Sequence, residues 1–221
     1  MDMLVSTDWL ASEIDAPDLA VLDASLHLPS AERDARAEFE TAHISGARFL
    51  DLAGLHDPSS ALPGKVPDGA RVARWLGERG IGPQTRIVLY DDSDLRSACR
   101  AWVLLDLAGL ANIAVLDGGL AKWRAEGRAL ESGVPDIDHV ERPPTSVRVT
   151  AIRDKAAMLA NLGTHVEQVV DARDAGRFTG ADEDTVHGLP GGHIPGARHL
   201  FYRDLFDDDG TFRDEDALGA R

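Results

Sequence analysis

Cysteine occurs once in the 221 residues, as Cys99. A single thiol excludes an intrachain disulfide, a CxxC redox pair and a zinc site built on several thiolates. Basic residues are also scarce: 23 Lys and Arg face 38 Asp and Glu, a formal net charge of −15. That surplus repels phosphate backbones, so no nucleic-acid partner is expected, and it keeps a dissolved chain dispersed. No apolar run reaches the roughly 18 residues that a membrane span needs. The start, MDMLVSTDWLASEID, is acidic and amphipathic and lacks the basic and then apolar profile of a signal peptide. No membrane partner is expected, and the cytoplasm is the default location. Hydrophobic residues at 43% and charged residues at 28% are ordinary globular usage, which argues against disorder and coiled coil.

What the chain does contain is a repeat. His43-Ile44-Ser45-Gly46-Ala47-Arg48 recurs as His193-Ile194-Pro195-Gly196-Ala197-Arg198, with one difference in six positions. Upstream, Val21-Leu22-Asp23-Ala24 matches Val169-Val170-Asp171-Ala172, and between the paired strings lie Glu38-Phe39 and Arg177-Phe178. Three matches in one order indicate a duplicated domain. The stretch 131–148, ESGVPDIDHVERPPTSVR, is polar, aperiodic and holds three prolines, so a linker is expected there. The expected division is therefore a first domain over 1–130, the linker, and the start of a second domain over 149–221.

The first copy reads as alternating strands and helices. Asp8-Trp9-Leu10 opens a short amphipathic helix with Ser6 or Thr7 as cap, and Leu19–Leu22 is a buried strand. The HISGA turn uses Gly46 for a backbone angle that other residues avoid. A helix begins at Pro67-Asp68, carries Val72, Trp75, Leu76 and Arg79 at helical spacing, and stops at Gly80. Strand Arg86–Tyr90, helix Ser97–Leu107, strand Ile113–Leu116, and a helix over Leu120–Glu126 after Gly118-Gly119 complete the copy. Such alternation predicts an α/β fold with a parallel sheet.

With VLDAS at 21–25, IVLYD at 87–91, VLDGGLAKW at 115–123, VVDARDAGRFTG at 169–180, FDDDGTF at 206–212 and both HI-x-GAR turns, the sequence resembles the tandem-domain rhodanese family. That family comprises the thiosulfate and 3-mercaptopyruvate sulfurtransferases, and the resemblance runs along essentially the whole chain. It implies two rhodanese-like domains, each a parallel sheet flanked by helices, with the first inactive and the second, over 149–221, incomplete. It also implies a cysteine in the loop after a central strand of the second domain. That cysteine carries sulfane sulfur as a persulfide from an anionic donor, thiosulfate or 3-mercaptopyruvate, to cyanide or a thiol, with no cofactor. Backbone N–H groups and a helix N-terminus suit such a loop, because they stabilise the thiolate and attract the donor.

In the first copy the equivalent position is Asp91, a carboxylate that cannot carry sulfur, and by spacing the second copy would present its loop beyond Arg221. Cys99 falls inside the following helix beside Ala98 and Ala101, the setting of a small buried residue. The intact protein is therefore expected to be a sulfurtransferase that continues past Arg221, and these 221 residues alone to be inactive. Arg177 matches the family's donor-binding arginine; without that role it would be a surface arginine paired with an acid such as Asp174. The mercaptopyruvate branch often has a second arginine nine residues on, where Val186 stands, and an Asp and a His where Ala53 and Gly64 stand. Thiosulfate is the donor favoured by those departures. A non-catalytic rhodanese-like binding module is the alternative.

Other chemistries fail on single positions. Asp92-Ser93-Asp94 suggests a phosphotransferase aspartate pair, but Arg96 stands where Thr or Val is wanted; Leu105 occupies the arginine position of a Cys-x5-Arg phosphatase loop. Asp207-Asp208-Asp209-Gly210 has Leu205 at the first ligand position of a calcium loop, so a solvated turn is expected. His187, His193 and His199 have no cysteine or carboxylate cluster to complete a metal cage, and His193 repeats His43 as a turn histidine. No metal is expected.

Overall fold

The structure, a computed structural model, describes residues 1–62, 64–185 and 188–219. It divides into two compact units, Met1–Val149 and Thr150–Arg221. In the first unit the order is β1 (Leu4–Val5), α1 (Thr7–Glu13), β2 (Leu19–Asp23), α2 (Ala35–Thr41), β3 (His43–Ile44) and β4 (Arg48–Phe49). It continues with α3 (Gly69–Gly77), β5 (Arg86–Tyr90), α4 (Ser97–Leu107), β6 (Ile113–Leu116), α5 (Gly119–Ala125) and β7 (Leu130–Glu131). Five strands form one sheet in the order β1-β6-β5-β2-β4, every neighbour parallel, while β3 and β7 make a small antiparallel pair.

The strand sequences explain the layers. Alternate residues of a strand point to opposite faces. Ala20 and Leu22, Ile87 and Leu89, and Ile113 and Val115 meet Val72 and Leu76 of α3 and Leu104 and Leu105 of α4. Val21, Val88 and Tyr90, and Ala114 and Leu116 meet Leu10 of α1, Phe39 of α2, and Leu120 and Trp123 of α5. With helices over both faces, the strands are apolar throughout rather than alternating. The helices start where the sequence supplies caps: the Ser6 hydroxyl accepts the Trp9 N–H at 3.1 Å, and Asp68 accepts the Arg71 N–H at 2.7 Å. Strands β2, β5 and β6 and helices α1, α3, α4 and α5 match the elements expected of the first copy to within a few residues at their ends, whereas β1, α2, β3, β4 and β7 were not expected.

The stretch 131–148 differs from its expected role as a linker. It belongs to the first unit, and the reason is backbone pairing: Gly133 N–H donates to Glu40, Val140 to Gly77, Thr145 to Gly69 and Arg148 to Leu107. Its prolines preclude a helix, but an extended strap can still satisfy its amides on a neighbouring surface. Gly69 and Gly77 leave room for it; a Cβ at Gly69 would lie 1.6 Å from the Thr145 carbonyl oxygen.

The second unit holds α6 (Lys155–Thr164), β8 (Val170–Asp171), α7 (Ala175–Thr179), β9 (Arg198–His199) and α8 (Glu215–Gly219), with β8 and β9 parallel. Its β8–β9 pair and the turn that precedes β9 repeat the geometry of β2 and β4 in the first unit. Leu22 pairs with Arg48 and Asp23 with Phe49; Val170 pairs with Arg198 and Asp171 with His199. Gly46 and Gly196 take φ of 72° and 81° in the matching turns. His43 stacks on Phe39 at 4.0 Å, and His193 stacks on Phe178 at 3.9 Å. Each imidazole Nδ1 also lies within hydrogen-bond distance of that phenylalanine's carbonyl oxygen, at 2.7 and 2.8 Å. Among the described residues no helix is long and apolar enough to cross a membrane.

Gly69→Ala is expected to displace the strap, since backbone rather than a flexible side chain meets the new methyl group. The variant should lose about 1–3 kcal/mol in chemical denaturation and become cleavable by protease within 131–148. Cleavage no faster than in the wild type would show that the strap contributes nothing to the unit.

Candidate functional site

In an open parallel sheet, ligands gather outside the carboxyl ends of the strands, where the chain's winding reverses. Here the reversal lies between β2 and β5: the chain leaves β2 towards β4 and leaves β5 towards β6. In the first unit that crevice is closed by the chain itself. The Ser25 hydroxyl accepts the Asp92 N–H at 2.9 Å, the Ser97 hydroxyl accepts the Leu26 N–H at 3.1 Å, and the Ser93 hydroxyl donates to the Leu26 carbonyl. Asp91 fills the centre. Its carboxylate accepts the Ala98 N–H at the start of α4 at 2.6 Å and the Ser93 N–H at 3.2 Å. Burial pushes its pKa up to about 6, against the pull of those two N–H donors. Arg96, at the N-cap of α4, adopts a left-handed φ of 51°, a conformation that costs a non-glycine residue about 1 kcal/mol.

Cys99 lies in the first turn of α4 and is half-buried. Burial, and then the neighbouring Asp91 charge, push its pKa to about 11. At neutral pH only about one thiol in ten thousand would be ionised, and the thiolate is the reactive form.

Ala53 lines an open cleft of about 450 Å³ at the ends of β2 and β4, with Ser25, His27, Arg33, Arg36 and Asp51. Its two arginines are committed: Arg33 makes a two-pronged bond to Glu38 at 2.8 and 2.7 Å, and Arg36 pairs with Glu40 at 3.3 Å. Gly64 stands elsewhere, its carbonyl accepting from Arg100 at 2.6 Å. Asp92 sits between Arg33 and Arg124, at 3.1 and 3.0 Å.

In the second unit Arg177 is the fourth residue of a short acid-capped segment. Asp174 caps α7, accepting the Arg177 N–H at 3.0 Å and its Nε–H at 2.6 Å. These two bonds hold the Asp174 carboxyl below its ordinary value. The pairing with Asp174 that would mark a surface arginine is thus present, yet the side chain is only 22% exposed and also approaches Asp184, at 3.6 Å. Two residues that sequence reasoning missed complete the group. Arg173 grips Asp171 through Nε and Nη2, at 3.0 and 2.6 Å, and reaches Asp184 at 3.6 Å. The available signal was the strand-end spacing Asp171-x-Arg173 beside the acidic run at 182–184.

Of the three histidines, His193 and His199 both stack on Phe178, at 3.9 and 4.7 Å. His187 and Val186 lie outside the described residues. The 206–212 stretch is a turn closed by Phe206 against Phe212, with Asp209 accepting from Thr211 at 2.6 Å.

Comparison with known proteins sets these features in a wider group. A family model described as a rhodanese-like domain matches residues 6–126. Mouse 3-mercaptopyruvate sulfurtransferase is 36% identical over 94% of this chain and 71% of its own length. The Escherichia coli (strain K12) protein of the same name is 34% identical over 98% of this chain and 76% of its own. Mouse thiosulfate sulfurtransferase is 33% identical over 98% and 75%. The crystal structure of SseA from Escherichia coli, described as a 3-mercaptopyruvate sulfotransferase of rhodanese fold, superposes with a TM-score of 0.87. It covers all of this chain and 82% of its own, at 31% identity.

Two outcomes follow for the first unit. Cys99 should react with iodoacetamide at pH 8 at least tenfold more slowly than free glutathione, because so little of it is thiolate; an equal rate would contradict the raised value. Asp91 has a raised pKa, so the folded state binds its proton more tightly than the unfolded chain does. Stability from this group is complete below about pH 4 and is lost as pH rises to about 6. The melting temperature should therefore fall more steeply from pH 4 to 6 in the wild type than in Asp91→Asn. Parallel profiles would contradict the raised value.

Proposed function

The chain belongs to the rhodanese-like family of sulfurtransferases, and on that premise we propose that it serves a transfer of sulfane sulfur from a small anionic donor, thiosulfate or 3-mercaptopyruvate, to cyanide or a thiol. The reaction has two steps through a cysteine persulfide. The carrier thiolate attacks the donor's transferable sulfur and a new S–S bond forms while the S–S bond of thiosulfate, or the C–S bond of 3-mercaptopyruvate, breaks. Sulfite departs from the first, and from the second pyruvate departs as its enolate, which takes up the donor thiol's proton. The acceptor then attacks the outer sulfur of the persulfide and restores the thiolate. The reading needs no metal or organic cofactor, and a reducing cytoplasm would supply thiol acceptors.

The observation that carries the reading is Arg177. It lies in the unit that pairs it with fixed acids, and one edge of its guanidinium has no hydrogen-bond partner among the described residues. A planar guanidinium matches a sulfonate or carboxylate by paired N–H bonds. The equivalent position of the first unit carries Glu38, so only the second unit offers a cation there. The departures at Ala53 and Gly64 favoured thiosulfate, whereas most of the similar proteins above are named for 3-mercaptopyruvate. The reading therefore keeps both donors. A rhodanese-like module that binds without turnover is favoured for these 221 residues by themselves, since Asp91 stands at the first unit's loop position and the pKa of the half-buried Cys99 thiol is pushed up to about 11.

Two assays test this. The protein isolated from its native source should form thiocyanate from cyanide with at least one of the two donors. Arg177→Ala should raise KM for that donor about tenfold, the loss of a charge-assisted pair; an unchanged KM would remove Arg177 from the site. The 221-residue chain incubated with either donor should show no gain of about 32 Da on Cys99 by mass spectrometry. Such a gain would overturn its inactivity, and no thiocyanate from the native protein would leave the binding module.

A further inference from the structure

Among the described residues of the second unit only one is buried, and it is a carboxylate: Asp184, 2% exposed. A buried charge is stable only when it is paired, and Asp184 stands between two guanidiniums. Its Oδ2 is 3.6 Å from Arg173 and its Oδ1 is 3.6 Å from Arg177. Its backbone is held as well, through paired bonds with Leu189 at 2.9 and 3.1 Å. Arg173 in turn is locked to the end of β8 by Asp171 and to the Gly192 carbonyl at 2.6 Å. Position thus passes from the strand end through Arg173 and Asp184 to Arg177.

We propose that Asp184 is a positioning residue: it fixes the Arg177 guanidinium, together with Asp174, so that its remaining N–H edge faces the donor anion. This rests on the donor-binding role of Arg177 stated above. Asp174 alone holds Nε and leaves the two terminal nitrogens free to swing; Asp184 restrains the Nη1 side. A pre-oriented guanidinium loses less freedom when an anion docks. Charge alone would act in the opposite sense. A carboxylate beside the cation weakens its attraction for an anion, so removing it would tighten binding if position did not matter.

That opposition of sign is the test, read on the full chain by arginine side-chain ¹⁵N spectra and a thiosulfate titration. In the wild type Arg177 should show separate, slowly exchanging terminal N–H signals, and thiosulfate should shift its Nε–H. In Asp184→Asn those terminal signals should merge and the thiosulfate affinity should fall about tenfold, the scale of one ordered charge-assisted contact. Asp184→Glu, which keeps the charge, should recover part of the affinity. Unchanged or tighter binding in Asp184→Asn would overturn the proposal. Should Asp184→Asn fail to fold, a single averaged terminal signal for Arg177 in the wild type would overturn it equally. A wild-type Arg177 Nε–H that thiosulfate does not move would overturn the donor-binding role itself, and the positioning role with it.

Discussion

A carboxylate turned back onto backbone N–H groups at the end of a parallel strand is the interaction on which both units depend. Parallel strands covered on two faces offer only their ends to solvent. In the first unit Asp23 ends β2 and accepts the Ser25 N–H at 2.8 Å; in the second Asp171 ends β8 and accepts the Arg173 N–H at 3.0 Å. Burial raises the pKa of Asp23, whereas the Arg173 side chain lowers that of Asp171. The same turn is thus apolar and closed in one unit and ionic in the other, and each unit's chemistry follows from that difference.

In the first unit the closed end is completed by Asp91, which supplies from within the chain the negative charge that N–H donors at a helix start would otherwise draw from solution. Serines 25, 93 and 97 then sew the two strand ends together across the gap between β2 and β5. In the second unit the open end is organised by alternating charges, Asp171, Arg173, Asp184, Arg177 and Asp174, with the carboxylates outnumbering the guanidiniums. Such a chain contributes little to stability where it is exposed. What it supplies is orientation, and orientation is what an anion-binding arginine needs.

Much of this was legible in the sequence because its signals are local. The runs Leu19–Leu22, Arg86–Tyr90 and Ile113–Leu116 announce strands, Ser6 and Asp68 announce helix starts, and the two HI-x-GAR strings announce the duplication. The short elements β1, α2, β3, β4 and β7 were not legible. Helix α2 is a single pair of turns whose one buried residue is Phe39, and β3 and β7 are two-residue strands defined only by each other. The strap over 131–148 was misread for a related reason: a proline-bearing extended segment looks the same in sequence whether it hangs in solvent or docks on Gly69 and Gly77.

The α/β class, the repeat and the family can be read from the amino-acid order alone, since they rest on periodicity, caps and ordered motifs that each span a few residues. The same order shows that one cysteine is all the chain has. Folding alone sets this cysteine beside Asp91 with its pKa pushed up, brings the Asp91 carboxylate onto the start of α4, and places Asp184 between Arg173 and Arg177. The reason is desolvation and distance. A side chain's charge state and partners depend on which remote groups surround it, and those neighbours are brought together only when the chain folds.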